Sequence, residues 1–93
     1  MKKLNKSKLR EAARVFISHG ARDVYLFGSQ ARGTASSSSD VDLAVSGLPP
    51  KSFFSAVGEV FELLGRTVDV VDLDGNTGFA RYLREHGDLV RVS

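Results

Sequence analysis

The 93-residue chain contains no cysteine, which excludes disulfides and thiolate metal sites. A metal would have to be held by oxygen or imidazole donors, and that favours hard ions such as magnesium or manganese. Long apolar runs are missing too. No stretch approaches a membrane span, and the basic opening MKKLNKSKLR is not followed by the apolar core of a signal peptide. A cytoplasmic protein with no membrane partner is expected. Net charge is low, at +2. Lys2, Lys3, Lys6, Lys8 and Arg10 crowd one end, but a solvated helix face explains them, and direct nucleic-acid binding is not expected. No linker or internal repeat divides the chain. Residues 1–93 read as one small domain, with 42% hydrophobic residues to build a core and modest stability.

What is present alternates between helical and strand patterns. Leu9, Ala12, Ala13, Phe16 and Ile17 recur at helical spacing and predict a helix over Leu4–Ser18, stopped at Gly20. Asp23–Phe27 (DVYLF) is a short apolar run suited to a buried strand, and SQARG after Gly28 reads as a helical turn. Thr34–Ser39 is a polar loop, and Asp40–Val45 a second strand. Pro50 suits the first turn of a helix whose apolar face is Phe53, Phe54, Val57, Val60, Phe61 and Leu64, closed by Gly65. Thr67–Leu73 (TVDVVDL) predicts a third strand. Asn76–His86 predicts a helix, with Phe79, Tyr82 and Leu83 at helical spacing, and Asp88–Val92 an edge strand. The pattern is that of an α/β sheet covered by helices, with strand direction left open.

Chemistry concentrates in a few positions. Side chains alternate along a strand, so Asp40 and Asp42 share one face while Val41, Leu43 and Val45 point into the core. Two carboxylates about 7 Å apart on one strand can reach the same ion or a pair of ions. Without a cation they repel one another. Asp69 lies inside a third apolar strand, where a lone charge is costly unless a neighbouring strand brings it beside the first pair. The alternatives are an exposed face of an edge strand, or an ion pair with Arg66 or Arg81. Asp72 has the opposite parity. Gly28-Ser29 ends a buried strand and opens a helical turn, where free N–H groups and a hydroxyl could meet an anion. Arg32 could neutralise phosphate charge or pair with an aspartate.

Gly28-Ser29, then ten residues, then Asp40-x-Asp42 resembles the signature of the polymerase-beta-like nucleotidyltransferase superfamily. GSQARGTASSSSDVDLAV is similar to the minimal nucleotidyltransferases, including MntA-type antitoxins paired with HEPN toxins, and TVDVVDL resembles their third-carboxylate strand. The resemblance spans Tyr25 to Leu73. It implies a small mixed β-sheet covered by helices and a two-metal transfer of a nucleotide, AMP from ATP, to a hydroxyl. It also implies that Gly28 and Ser29, with Arg32, hold the triphosphate. Asp40, Asp42 and Asp69 would then be the catalytic carboxylates and the ligands of two magnesium ions, for which manganese could substitute. The implied acceptor is a tyrosine of a HEPN toxin, which the modification silences.

Little chain follows Leu73, so the acceptor would be held by a partner or a second copy of this chain. Two rival readings stand beside this one: a non-catalytic antitoxin that neutralises a HEPN partner by contact, and transfer to a small molecule. Arg14…His19 and Arg81…His86 match the loose Arg-x4-His pattern of HEPN ribonucleases, but so short a pair recurs by chance and would need an all-helical fold.

Overall fold

The first helix, α1 (Lys6–Ser18), begins where Asn5 accepts a hydrogen bond from the Ser7 N–H at 2.7 Å, satisfying one of the free donors of its first turn. The computed structural model describes residues 5–33 and 40–92. Lys2, Lys3, Leu4 and the predicted Thr34–Ser39 loop lie outside the described residues. Ala12, Ala13 and Phe16 are the buried stripe of α1, whereas Ile17 is 40% exposed and does not belong to it. His19 caps the C-terminus, its Nε2 lying 2.9 Å from Oε1 of Glu59.

Four strands follow the predicted order. They are β1 (Asp23–Phe27), β2 (Val41–Ser46), β3 (Val68–Asp72) and β4 (Val90–Arg91), with helices α2 (Gly28–Arg32), α3 (Pro50–Leu64) and α4 (Gly78–His86) between them. The sheet order is β3-β2-β1-β4. Here β1 is antiparallel to β2 and β4, and β2 is parallel to β3. The sheet is therefore mixed, as the resemblance implies. A parallel pair needs a crossover, and α3 supplies it between β2 and β3.

Val24, Leu26, Val41, Leu43 and Val45 form one sheet face, sealed by Ala12, Ala13 and Phe16 of α1 and by Ala56 and Val60 of α3. On the opposite face Ala44 and Leu73 are buried with Leu83 of α4. Thus β2 is covered on both sides, which is why its run VDLAV carries an alanine rather than a polar residue at position 44. Thr77 caps α4 by accepting from the Ala80 N–H at 3.1 Å. Thr77→Ala is expected to cost about 1 kcal/mol of stability, measured by urea denaturation.

Two predicted core aromatics, Phe54 and Phe61, are not core. Phe54 is 83% exposed, and Phe61, Phe79 and Tyr82 are also exposed. The physical reason is angular. Phe53, Ala56, Val57, Val60 and Leu64 lie on one stripe of α3, and Phe54 and Phe61 sit about 100° to its side, beyond the reach of the sheet. On α4 the inward stripe is Ala80 and Leu83, with Phe79 and Tyr82 flanking it. A broad apolar arc over-predicts burial where a helix packs through a narrow contact.

Candidate active site

The sheet brings the two distant acidic segments together. In the β2–β3 ladder Asp42 is the direct partner of Asp69. In the β1–β2 ladder Asp42 is also the partner of Phe27, the last residue of β1. Asp69, Asp42 and Phe27 therefore lie side by side across three strands, on the face that carries α4 and at the end of the sheet where β1 gives way to α2. Adjacent strands run about 4.8 Å apart, so facing carboxylates on β2 and β3 are within reach of one cation.

The Asp42 carboxyl is pushed above its ordinary value of 3.8. Burial is the largest cause, followed by the charges of Asp69 and Asp40 and a hydrogen bond with Asp69; Arg32 acts in the opposite direction. Asp40 and Asp69 thus both act on Asp42, and Arg32 tempers it. Asp69 is exposed and stands on an edge strand, so the edge-strand alternative is correct as to position; it does not separate Asp69 from Asp42. The predicted ion-pair alternative to Arg81 does not form, since Arg81 lies 3.8 Å from Glu85. Asp72 instead accepts from the Asp74 N–H at 2.9 Å, in the turn after β3.

Gly28 packs against Asp42 of the acidic pair. Its φ is +74°, in the left-handed region that side chains rarely adopt. A Cβ placed there would run into the Asp42 carboxylate, with Cγ of Asp42 at 3.2 Å. The backbone of the turn therefore rests directly against an acidic side chain, and the sequence signal Gly-Ser marks that approach. Ser29 follows in the first turn of α2, whose N–H groups have no partners within the helix. Arg32 closes the same short helix and is exposed.

The pairing of Phe27 with Asp42 is invisible in the sequence, because it depends on the register between β1 and β2. Phe27 meets Phe79 of α4 edge-on, with ring centroids 6.1 Å apart. Arg84 of α4 donates to the carbonyl oxygens of Leu73 and Gly75, fixing the turn that follows β3 against α4.

Among the described residues no group of three His, Asp or Glu side chains is arranged to hold a metal ion alone. That fits magnesium, which takes one or two carboxylates and completes its shell with phosphate oxygens and water. Asp42 and Asp69 supply such a pair, all-oxygen and hard, with Asp40 at its edge. The shifted carboxyl has a consequence for stability. The folded state holds the Asp42 proton to a higher pH than the unfolded chain, so the resulting stabilisation is full below 3.8 and is lost as pH rises through the raised value. At neutral pH the pair is a burden. Asp42→Asn is expected to raise stability by about 0.5–1 kcal/mol, the scale of a partly screened cross-strand charge pair. The gain in melting temperature should shrink in high salt.

The fold is that of a nucleotidyltransferase domain. The chain belongs to the family described as polymerase beta, nucleotidyltransferase, whose model matches residues 11–91. Solved structures extend the likeness. One is a toxin–antitoxin with AMP-PNP, at 26% identity and a TM-score of 0.71, covering 97% of this chain and 73% of that one. Another is described as a minimal nucleotidyltransferase, at 27% identity and a TM-score of 0.72, covering 88% of each chain. A third is a complex of a tri-AMPylated HEPN toxin with an MNT antitoxin from Shewanella oneidensis. At 17% identity, a TM-score of 0.69 and coverage of 95% of this chain and 71% of that one, it speaks to the fold alone. No curated protein matches the chain. No helix among the described residues is long and apolar enough to cross a membrane.

Proposed function

We propose that this chain is a metal-dependent nucleotidyltransferase that moves AMP from ATP to a tyrosine hydroxyl of a HEPN-domain partner, and thereby acts as its antitoxin. The single observation that carries the reading is the register of Asp42 against Asp69, beside a glycine turn that packs on the Asp42 carboxylate. The solved toxin–antitoxin with AMP-PNP supports the choice of nucleotide and of a toxin partner.

In this reading the acceptor oxygen attacks the α-phosphorus, the bond to the bridging oxygen breaks and pyrophosphate leaves. Asp69 is the base that takes the acceptor proton. Asp40, Asp42 and Asp69 would hold magnesium, completed by phosphate oxygens and water, and the ion would supply offsetting positive charge for the transfer. Gly28 lets the triphosphate approach the backbone, the Ser29 hydroxyl donates to it, and Arg32 balances its charge. No covalent intermediate on the enzyme is needed.

The direct test is incubation with α-labelled ATP, magnesium and a HEPN-domain partner protein. Label is expected on the partner and lost when its acceptor tyrosine becomes phenylalanine. Failure to transfer any nucleotide, with any triphosphate or divalent metal, would overturn the reading. A second reading gives the acidic cluster no catalytic role. In it the chain neutralises its partner by contact alone, and Asp42→Asn would still protect cells from the toxin.

A further inference from the structure

Behind the phosphate turn, on the sheet face opposite Asp42, lies a cavity of about 400 Å³. Leu9 of α1, Leu26 of β1, Ala31 of α2, Val90 and Val92 make its apolar walls. Its volume is within the range of small-molecule sites. Three polar features bear on what could fill it. Gln30 lines it, and the amide nitrogen of that side chain is buried with no hydrogen-bond partner. A buried donor left unpaired is costly, and a turn of the half-buried Gln30 side chain toward the cavity would let it meet an acceptor there. Lys6 and Arg10, one turn apart on α1, also line the cavity. Neither makes an ion pair or hydrogen bond among the described residues. Arg91 lines the cavity as well, but its guanidinium is engaged by Asp23 at 2.5 Å and lies over the Tyr25 ring.

The orphan donor and the two unpaired cations call for the same thing, an anionic group rich in acceptors. The apolar walls call for a hydrocarbon body. We propose that this cavity is a second ligand site, separate from the acidic cluster, which takes a small molecule with an apolar body and a single anionic head. The head sits toward Lys6, Arg10 and the Gln30 amide, and the body lies against Leu9, Leu26 and the two valines. Carboxylate and phosphate heads share this chemistry. The wall it rests on is α2, the helix that also carries Ser29 and Arg32.

The test is a titration of the full chain, followed through the Gln30 side-chain amide by NMR, with octanoate, octyl phosphate and octylamine, each below its micellar concentration. Saturable shifts at Gln30 with either anion, and none with octylamine, support the site; the tighter anion identifies the head group. The double variant Lys6→Glu, Arg10→Glu changes exposed residues only and is expected to keep a native spectrum while weakening the anion at least about tenfold. No saturable binding of either anion overturns the proposal. So does equal binding of octylamine, or an affinity that charge reversal leaves unchanged.

Discussion

Asp42→Asn is expected to slow nucleotide transfer by on the order of 10²–10³ while leaving the fold intact and slightly more stable. Asp42 stands between Asp69 on β3 and Phe27 on β1, and the Gly28 backbone leans on it, so its carboxylate is the point where the site's elements meet. Asparagine keeps the shape and removes the charge. The rate loss therefore measures charge, whereas the rise in melting temperature measures the repulsion removed. Opposite signs for activity and stability are the mark of a residue kept for chemistry. Single-turnover labelling of the partner and a thermal melt of the same preparation give both numbers. A variant that is inactive and also unstable would point to a structural aspartate instead.

Gly28→Ala should damage both stability and transfer. The left-handed backbone at φ +74° alone costs a side chain about 1–2 kcal/mol. The added Cβ then has to displace the Asp42 carboxylate or move the start of α2. Stability should fall by about 1–3 kcal/mol. Transfer should fall by on the order of 10², since a displacement of about 1 Å is enough to spoil the positioning of reacting groups. Gly33→Ala is the control. Its φ is also positive, at +75°, but among the described residues nothing lies within 4 Å of a Cβ there. It should lose stability on the backbone scale alone and keep most of its activity. Urea melts and labelling rates for the two variants separate strain from collision. Equal loss of activity in both would contradict a specific contact between Gly28 and Asp42.

Much of the site was legible in the sequence because its parts are local and periodic. Asp40 and Asp42 share parity on one strand, and Gly28-Ser29 punctuates the end of another, so both could be placed from spacing alone. Asp69 could be suspected from a charge inside VDVV, but its meeting with Asp42 depends on parallel pairing, and no local pattern encodes that register. The same limit hid Phe27 from the site. The helices were legible in extent and less so in burial. Phe54, Phe61, Phe79 and Tyr82 fit a helical apolar arc, yet the sheet meets α3 and α4 along stripes centred on Ala56 and Val60 and on Ala80 and Leu83. Small residues mark the line of closest approach, while large aromatics at its margins stay in solvent. Hydrophobicity alone cannot tell these apart, because it reports what a residue prefers and not what is there to cover it.

Paramagnetic broadening by manganese, read residue by residue in NMR spectra of the chain with ATP, tests the shared-ion arrangement most directly. Signals of Gly28, Asp42 and Asp69 should broaden together at the lowest manganese concentrations and recover in Asp42→Asn. Broadening that reaches Asp42 but spares Asp69, or that centres on another part of the surface, would show that the two strands do not hold a common cation.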